Sequence, residues 1–165
     1  MKKRLRPVVL LAALLAALVG LAALRQALQL REDAAQARGE TVYADPVAAN
    51  HPLLLQFQAA HPEAEVVLAC AGDITDDGED DLAVIYRSGE DMSAVVLTGG
   101  VSGVETDPIP APRENQKLRF FNMDGAGAAE LLITGEKNGQ VGYAVYRLSD
   151  GRLKDLFGEG MKDCC

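Results

Sequence analysis

The sequence contains no Trp, and its four Phe and four Tyr are its whole aromatic complement in 165 residues. Two His and three Cys are too few for a His-rich zinc enzyme. No G-x-x-x-x-G-K-[ST], H-E-x-x-H or G-x-S-x-G run occurs, which removes the commonest nucleotide-binding, metalloprotease and hydrolase classes. Positive charge is also scarce over most of the chain. Residues 1–38 hold seven Lys/Arg and two Asp/Glu, hence +5, whereas residues 39–165 hold nine bases and 22 acids, hence -13. A surface that acidic repels phosphate backbones, so nucleic acid is excluded as a partner. The length suits one ordinary domain.

One long apolar run is present. Lys2, Lys3, Arg4 and Arg6 precede Val, Leu, Ala and Gly without interruption from Val8 to Leu24. About 17 apolar residues is the lower limit for crossing a bilayer core, and positive charge before the span stays cytoplasmic. Residues 1–38 are therefore predicted to form a basic cytoplasmic end, a single transmembrane anchor and a helical stalk ended by Gly39. The alternative is a cleaved signal peptide, with Ala35-Gln36-Ala37 as an A-x-A site and secretion of the rest. Both readings send the acidic part out of the cytoplasm.

Residues 39–157 are predicted to be that extracytoplasmic domain, mainly β with a small helical contribution. A short helix starts at Pro52, with Asn50 as its N-cap, and closes at His61-Pro62. His51 and His61 stand at its opposite ends and cannot share a metal. Strands follow at Val66–Cys70, Leu82–Tyr86, Ala94–Leu97, Leu118–Phe121, Leu131–Thr134 and Tyr143–Tyr146. Turns at Ser88-Gly89, Lys137-Asn138-Gly139 and Asp150-Gly151 indicate antiparallel hairpins. An offset of 49 maps Asp81–Ile85 onto Glu130–Thr134 and Ala94–Leu97 onto Tyr143–Tyr146. Two propeller-blade-like repeats are expected, at about 66–110 and 115–157, too few to close a ring.

The first repeat opens with Gly72-Asp73-Ile74-Thr75-Asp76-Asp77-Gly78-Glu79-Asp80-Asp81-Leu82. This stretch resembles the cation loop of FG-GAP and VCBS propeller repeats, D-x-[DN]-x-D-G-x-x-D before an apolar strand. The resemblance implies calcium held by Asp73, Thr75, Asp77, the Glu79 carbonyl and Asp81. Val84 stands at position twelve, so the loop is not an EF-hand. In the second repeat Ala126 replaces the central Asp, which implies a lost cation.

The chain ends Gly158-Glu159-Gly160-Met161-Lys162-Asp163-Cys164-Cys165, and residues 158–165 are expected to be a flexible tail. Two adjacent thiols suit soft-metal chemistry, because thiolates select soft cations, while a disulfide between neighbours is strained. A single-span layout ending in Cys164-Cys165 resembles the Cys-Cys-COOH (seleno)protein SaoC family. That resemblance implies handling of organometal compounds, with an organometal lyase or a transporter as partner. Cys70, on a face with Val66 and Leu68, is expected to be a buried apolar residue, with a role as docking or resolving partner for the Cys164-Cys165 tail as the alternative.

The functional expectation is a membrane-anchored extracytoplasmic protein, a binder and not an enzyme. It would take a soft, mercury-like metal or organometal on Cys164 and Cys165 and relay it. Two other readings stand beside it. One is a thiol-disulfide redox factor, although no C-x-x-C is present. The other is a calcium-stabilised interaction or adhesion domain.

Overall fold

A computed structural model describes residues 41–100, 103–125 and 127–159, together with Gly20, Ala23, Leu24 and Gln26. The chain divides into two compact units, Met1–Val42 and Tyr43–Cys165. In the first unit Gly20, Ala23, Leu24 and Gln26 are helical. Among the described residues no helix is long and apolar enough to cross a membrane, and most of the expected anchor lies outside them.

The second unit is one short helix and two antiparallel sheets of four strands. Helix α1 (Pro52–Ala60) has Pro in its first turn, where the missing N–H costs nothing. Its N-cap is His51, not Asn50. Asn50 is taken up in the preceding turn, which closes through the His51 N–H to the Ala48 carbonyl at 2.9 Å. His61 caps the other end, its N–H donating to the Phe57 carbonyl.

Sheet 1 runs β1 (Glu65–Gly72), β2 (Asp81–Ser88), β3 (Asp91–Leu97) and β4 (Ile109–Pro110), in that spatial order. Sheet 2 runs β5 (Glu114–Phe121), β6 (Glu130–Lys137), β7 (Gln140–Ser149) and β8 (Arg152–Glu159). The hairpins fall where the turn residues place them. Asn138 and Gly139 have φ of 53° and 76°, and Asp150 and Gly151 have 55° and 72°. Both central residues being left-handed is the two-residue turn whose twist matches that of the strands.

The offset of 49 holds for three strands of each sheet, starting at Glu65 and Glu114, Asp81 and Glu130, Asp91 and Gln140. Pairing repeats too, with Gly72 opposite Asp81 and Phe121 opposite Glu130. The fourth strands differ. Pro108, Pro110 and Pro112 supply no N–H, so β4 has two residues, whereas β8 has eight. Strand β8 includes Gly158 and Glu159, which the sequence reading assigned to the tail. Gly158 pairs with Ala144 there and Glu159 with Tyr143.

The two sheets stack in sequence order. One face of sheet 1 packs Leu82, Val84, Val95 and Leu97 against Leu54 and Phe57 of α1. Its other face packs Ala83, Ile85, Ala94 and Val96 against Leu118, Leu131, Ile133 and Ala144 of sheet 2. Gly72 lets the sheets approach, because a Cβ there would collide with the Phe120 ring. Sheet 1 is thus covered twice, and β2 is buried at six consecutive positions from Asp81 to Tyr86. In β6 burial alternates from Leu131 to Gly135, as expected when one face is packed and the other is not.

Candidate functional site

Six of the nine residues from Asp73 to Asp81 are acidic. The structure ties them into a hydrogen-bonded loop between β1 and β2. Asp81, fully buried, anchors the loop from within. Its Oδ2 accepts from the Ile74 N–H at 2.8 Å, the Thr75 N–H at 3.0 Å and the Thr75 hydroxyl at 3.2 Å. Its Oδ1 accepts from the Gly99 N–H at 2.8 Å. Asp73 accepts from the N–H groups of Asp76, Asp77 and Gly78, and Asp77 accepts from Glu79 N–H at 2.9 Å. Gly78 has φ of 83°, a left-handed conformation that glycine adopts without a Cβ penalty.

The expected ligands Asp73, Thr75, Asp77, Glu79 and Asp81 therefore share one loop. The calcium they would hold is a hard cation that takes six to eight oxygens. Among the described residues no group of three or more His, Cys, Asp or Glu side chains converges as a metal-binding cluster. Asp73 and Asp81 already accept several N–H donors, and Asp77 is exposed. Among the described residues no Lys or Arg side chain pairs with this loop.

The second loop shows what occupies the same place 49 residues on. Glu130 stands where Asp81 does and is equally buried. Its Oε2 accepts from Met123 N–H at 2.8 Å, repeating the bond from Ile74. Its Oε1 receives the Arg147 guanidinium through Nε at 2.8 Å and through a short contact from Nη2. Arg147 Nη2 also reaches Asp124 Oδ2 at 3.1 Å. The guanidinium is held even more firmly protonated by these hydrogen bonds, first to Glu130 and then to Asp124. A fixed cation thus lies among the carboxylates of the second loop. Sequence reading missed Glu130 and Arg147. The signal was available, since the offset aligns Glu130 with Asp81.

Of the thiols, Cys70 lies within the described residues, and Cys164 and Cys165 lie outside them. Cys70 is completely buried between the sheets, and its Sγ donates to the Ala44 carbonyl at 3.5 Å. Burial, and secondarily the charge of Asp45, pushes its pKa up to about 11. At neutral pH it is a protonated thiol, and soft metals bind thiolate. His51 and His61 stay at opposite ends of α1. His61 lies over Phe57, ring centroids 4.6 Å apart, and its Nε2 is 2.7 Å from Glu105 Oε1. An open hollow of about 520 Å³ lined by Arg87, Glu90, Met92, Arg113 and Glu114 includes none of the residues singled out in the sequence.

The chain matches no family model, no curated protein and no solved structure.

Proposed function

We propose that this is a membrane-anchored extracytoplasmic thiol protein that binds and relays a soft metal or organometal, mercury-like in chemistry, on Cys164 and Cys165. The observation that carries the reading is the state of Cys70. Of three thiols, that one is withdrawn into the core and held protonated, which leaves the adjacent pair as the thiols for metal. Strand β8 ends at Glu159, so six residues lead to Cys165, a contour of at most about 20 Å. The apolar run Val8–Leu24 serves as the anchor, and the two blade-like sheets are the platform outside. A transporter or an organometal lyase is the recipient.

The test is Hg(II) binding by the full chain against excess competing thiol. Two thiolates chelate, so the second binds at high effective concentration. Cys164→Ser and Cys165→Ser should each lose binding nearly as completely as deletion of both, while Cys70→Ser binds like the parent. Binding that survives deletion of the pair and vanishes with Cys70→Ser overturns the proposal. Protease added to intact spheroplasts should digest residues 39–165, and full protection would overturn the orientation.

A calcium contribution from Asp73, Thr75, Asp77, Glu79 and Asp81 is proposed beside this, as a stabiliser of the platform. Its support is the contrast between the loops, one with Arg147 among its carboxylates and one with no side-chain cation among the described residues.

A further inference from the structure

The second compact unit begins at Tyr43, and residues 43–47 belong to none of the strands β1 to β8. They cross the outer side of β1, which is the edge strand of sheet 1. Val47 N–H donates to the Ala69 carbonyl of β1 at 2.8 Å, and Ala44 N–H donates to the Leu118 carbonyl of β5 at 2.8 Å. The segment is thus bonded to an edge strand of each sheet. Ala44 packs on the core between the sheets, and Val47 on the core beneath α1. The Lys117 ammonium lies 4.9 Å from the centre of the Tyr43 ring.

Beneath this segment lies Cys70. It stands on β1 opposite Pro46, and its Sγ donates to the Ala44 carbonyl at 3.5 Å. Its side chain belongs to the core between the sheets, so residues 43–47 close it off at the open edge of that layer. The cover is much less well packed than what it covers. Cys70 is completely buried, whereas Asp45 and Pro46 are exposed and Tyr43, Ala44 and Val47 are only half-buried. Pro46 has no N–H, so regular pairing with β1 cannot run through it. Few buried apolar contacts mark a segment that opens far more easily than the whole domain unfolds. Because it contributes no strand, its release leaves every strand pairing of both sheets in place.

We propose that residues 43–47 are a strap that opens as a local unit and so switches Cys70 between a withheld and an accessible thiol. With the strap closed, the thiol is sealed in the core and held protonated. With the strap open, the edge of β1 faces water and Cys70 regains the reactivity of an ordinary cysteine. The strap is also the covalent passage from residues 1–42 into the domain. Any load or binding event on those residues is therefore transmitted to it first. The inference does not depend on the metal reading, because its readout is the exposure of Cys70 alone.

The test is native-state labelling of the full chain in detergent with N-ethylmaleimide, followed by mass spectrometry at fixed pH. Cys164→Ser and Cys165→Ser are introduced together, which leaves Cys70 as the sole thiol. The labelling rate is measured at rising urea below the unfolding transition. Sensitivity to urea scales with the surface an opening exposes, so strap opening gives a nearly flat rate and global unfolding a steep one. The expected result is a flat rate at low urea that turns steep only near the transition. Ala44→Asp and Val47→Gly should each raise the flat rate at least tenfold. Leu153→Ala, on β8 and packed on the same core, should lower the melting temperature and shift only the steep part. The slope of the unaltered strap decides the matter even where a strap variant fails to fold. A rate that follows the global slope down to zero urea, or a flat rate that neither strap variant moves, would overturn the proposal.

Discussion

The loops at Asp73–Asp81 and Asn122–Glu130 occupy the same place in two sheets of the same register, yet they handle negative charge differently. Both turn a buried carboxylate inward to accept the N–H of the second residue of the loop, Ile74 in one case and Met123 in the other. In the second loop Arg147 supplies the countercharge from the adjacent strand. In the first, backbone N–H groups and the Thr75 hydroxyl do so, and Gly99 N–H takes the position near Asp81 Oδ1. Oriented N–H dipoles are partial charges and neutralise a carboxylate less fully than a guanidinium. The first loop therefore sets six acidic side chains against no side-chain cation among the described residues, whereas the second sets Arg147 against Asp124 and Glu130.

Breaking the second loop should have the largest effect. Arg147→Met leaves Glu130 buried without its countercharge, the costly way to break such a pair. The expected fall in melting temperature is on the order of 10 °C, measured by circular dichroism. A variant melting with the parent would show that the buried carboxylate is satisfied by Met123 N–H alone.

Next in size is Asp81→Ala. It removes the acceptor for three N–H groups and one hydroxyl. Leaving the buried donors unsatisfied costs about 2–4 kcal/mol. Chemical denaturation should show a lower midpoint with little change in slope. Asp77→Ala, at an exposed position with one bond to Glu79 N–H, should cost well under half as much in the absence of calcium. Equal losses from the two variants would erase the distinction between the inward and outward carboxylates.

Calcium sharpens the comparison further. At tenfold excess over its dissociation constant, a ligand bound only to the folded state adds about 1.4 kcal/mol, a rise of several degrees in Tm. The parent should show this rise between chelator and calcium, and Asp77→Ala should not. Arg147→Met should keep the same increment on its lower baseline, because the loop proposed to hold calcium is the first. Identical melting of the parent with calcium and with chelator would reduce the first loop to a connector between strands.

Much of this architecture was legible beforehand because the local chemistry was decisive. Asn138-Gly139 and Asp150-Gly151 specify tight turns, and the β-branched runs beside them specify strands. Strand β8 was not among the strands read from the sequence, because Arg152, Lys154 and Asp155 break its apolar pattern and Gly158 with the charged residues after it read as tail. Its order comes from pairing to β7, a non-local effect. The Asn50 cap failed for a local reason, since a turn through Ala48 and His51 had already claimed that residue. Arg147 was overlooked because the second loop was judged by its missing Asp at 126 and not by what stands across the sheet from Glu130. The calcium ligands and the thiol pair stay at the level of sequence pattern. Cys164 and Cys165 lie outside the described residues, and a loop pattern specifies residue types without specifying which oxygens turn inward.

The smallest expected effect concerns Cys70 and separates the buried thiol from the pair proposed to bind metal. Its pKa rises from the ordinary 9.0 to about 11 in the folded protein, chiefly through burial. The folded state therefore holds this proton more tightly than the unfolded state. Stability from that preference is fully present below about pH 9 and is lost as pH climbs through about 11, because the unfolded chain sheds the proton first. Tyr and Lys groups also titrate in this window, so the informative quantity is the difference between the parent and Cys70→Ala. Below pH 9 the two stability curves should run parallel, offset by the lost packing of the sulfur. Between pH 9 and 11 the parent should fall faster and the gap should narrow. Curves that stay parallel to pH 11 would mean that Cys70 ionises as easily in the fold as out of it, and the thiol would then be available for metal after all.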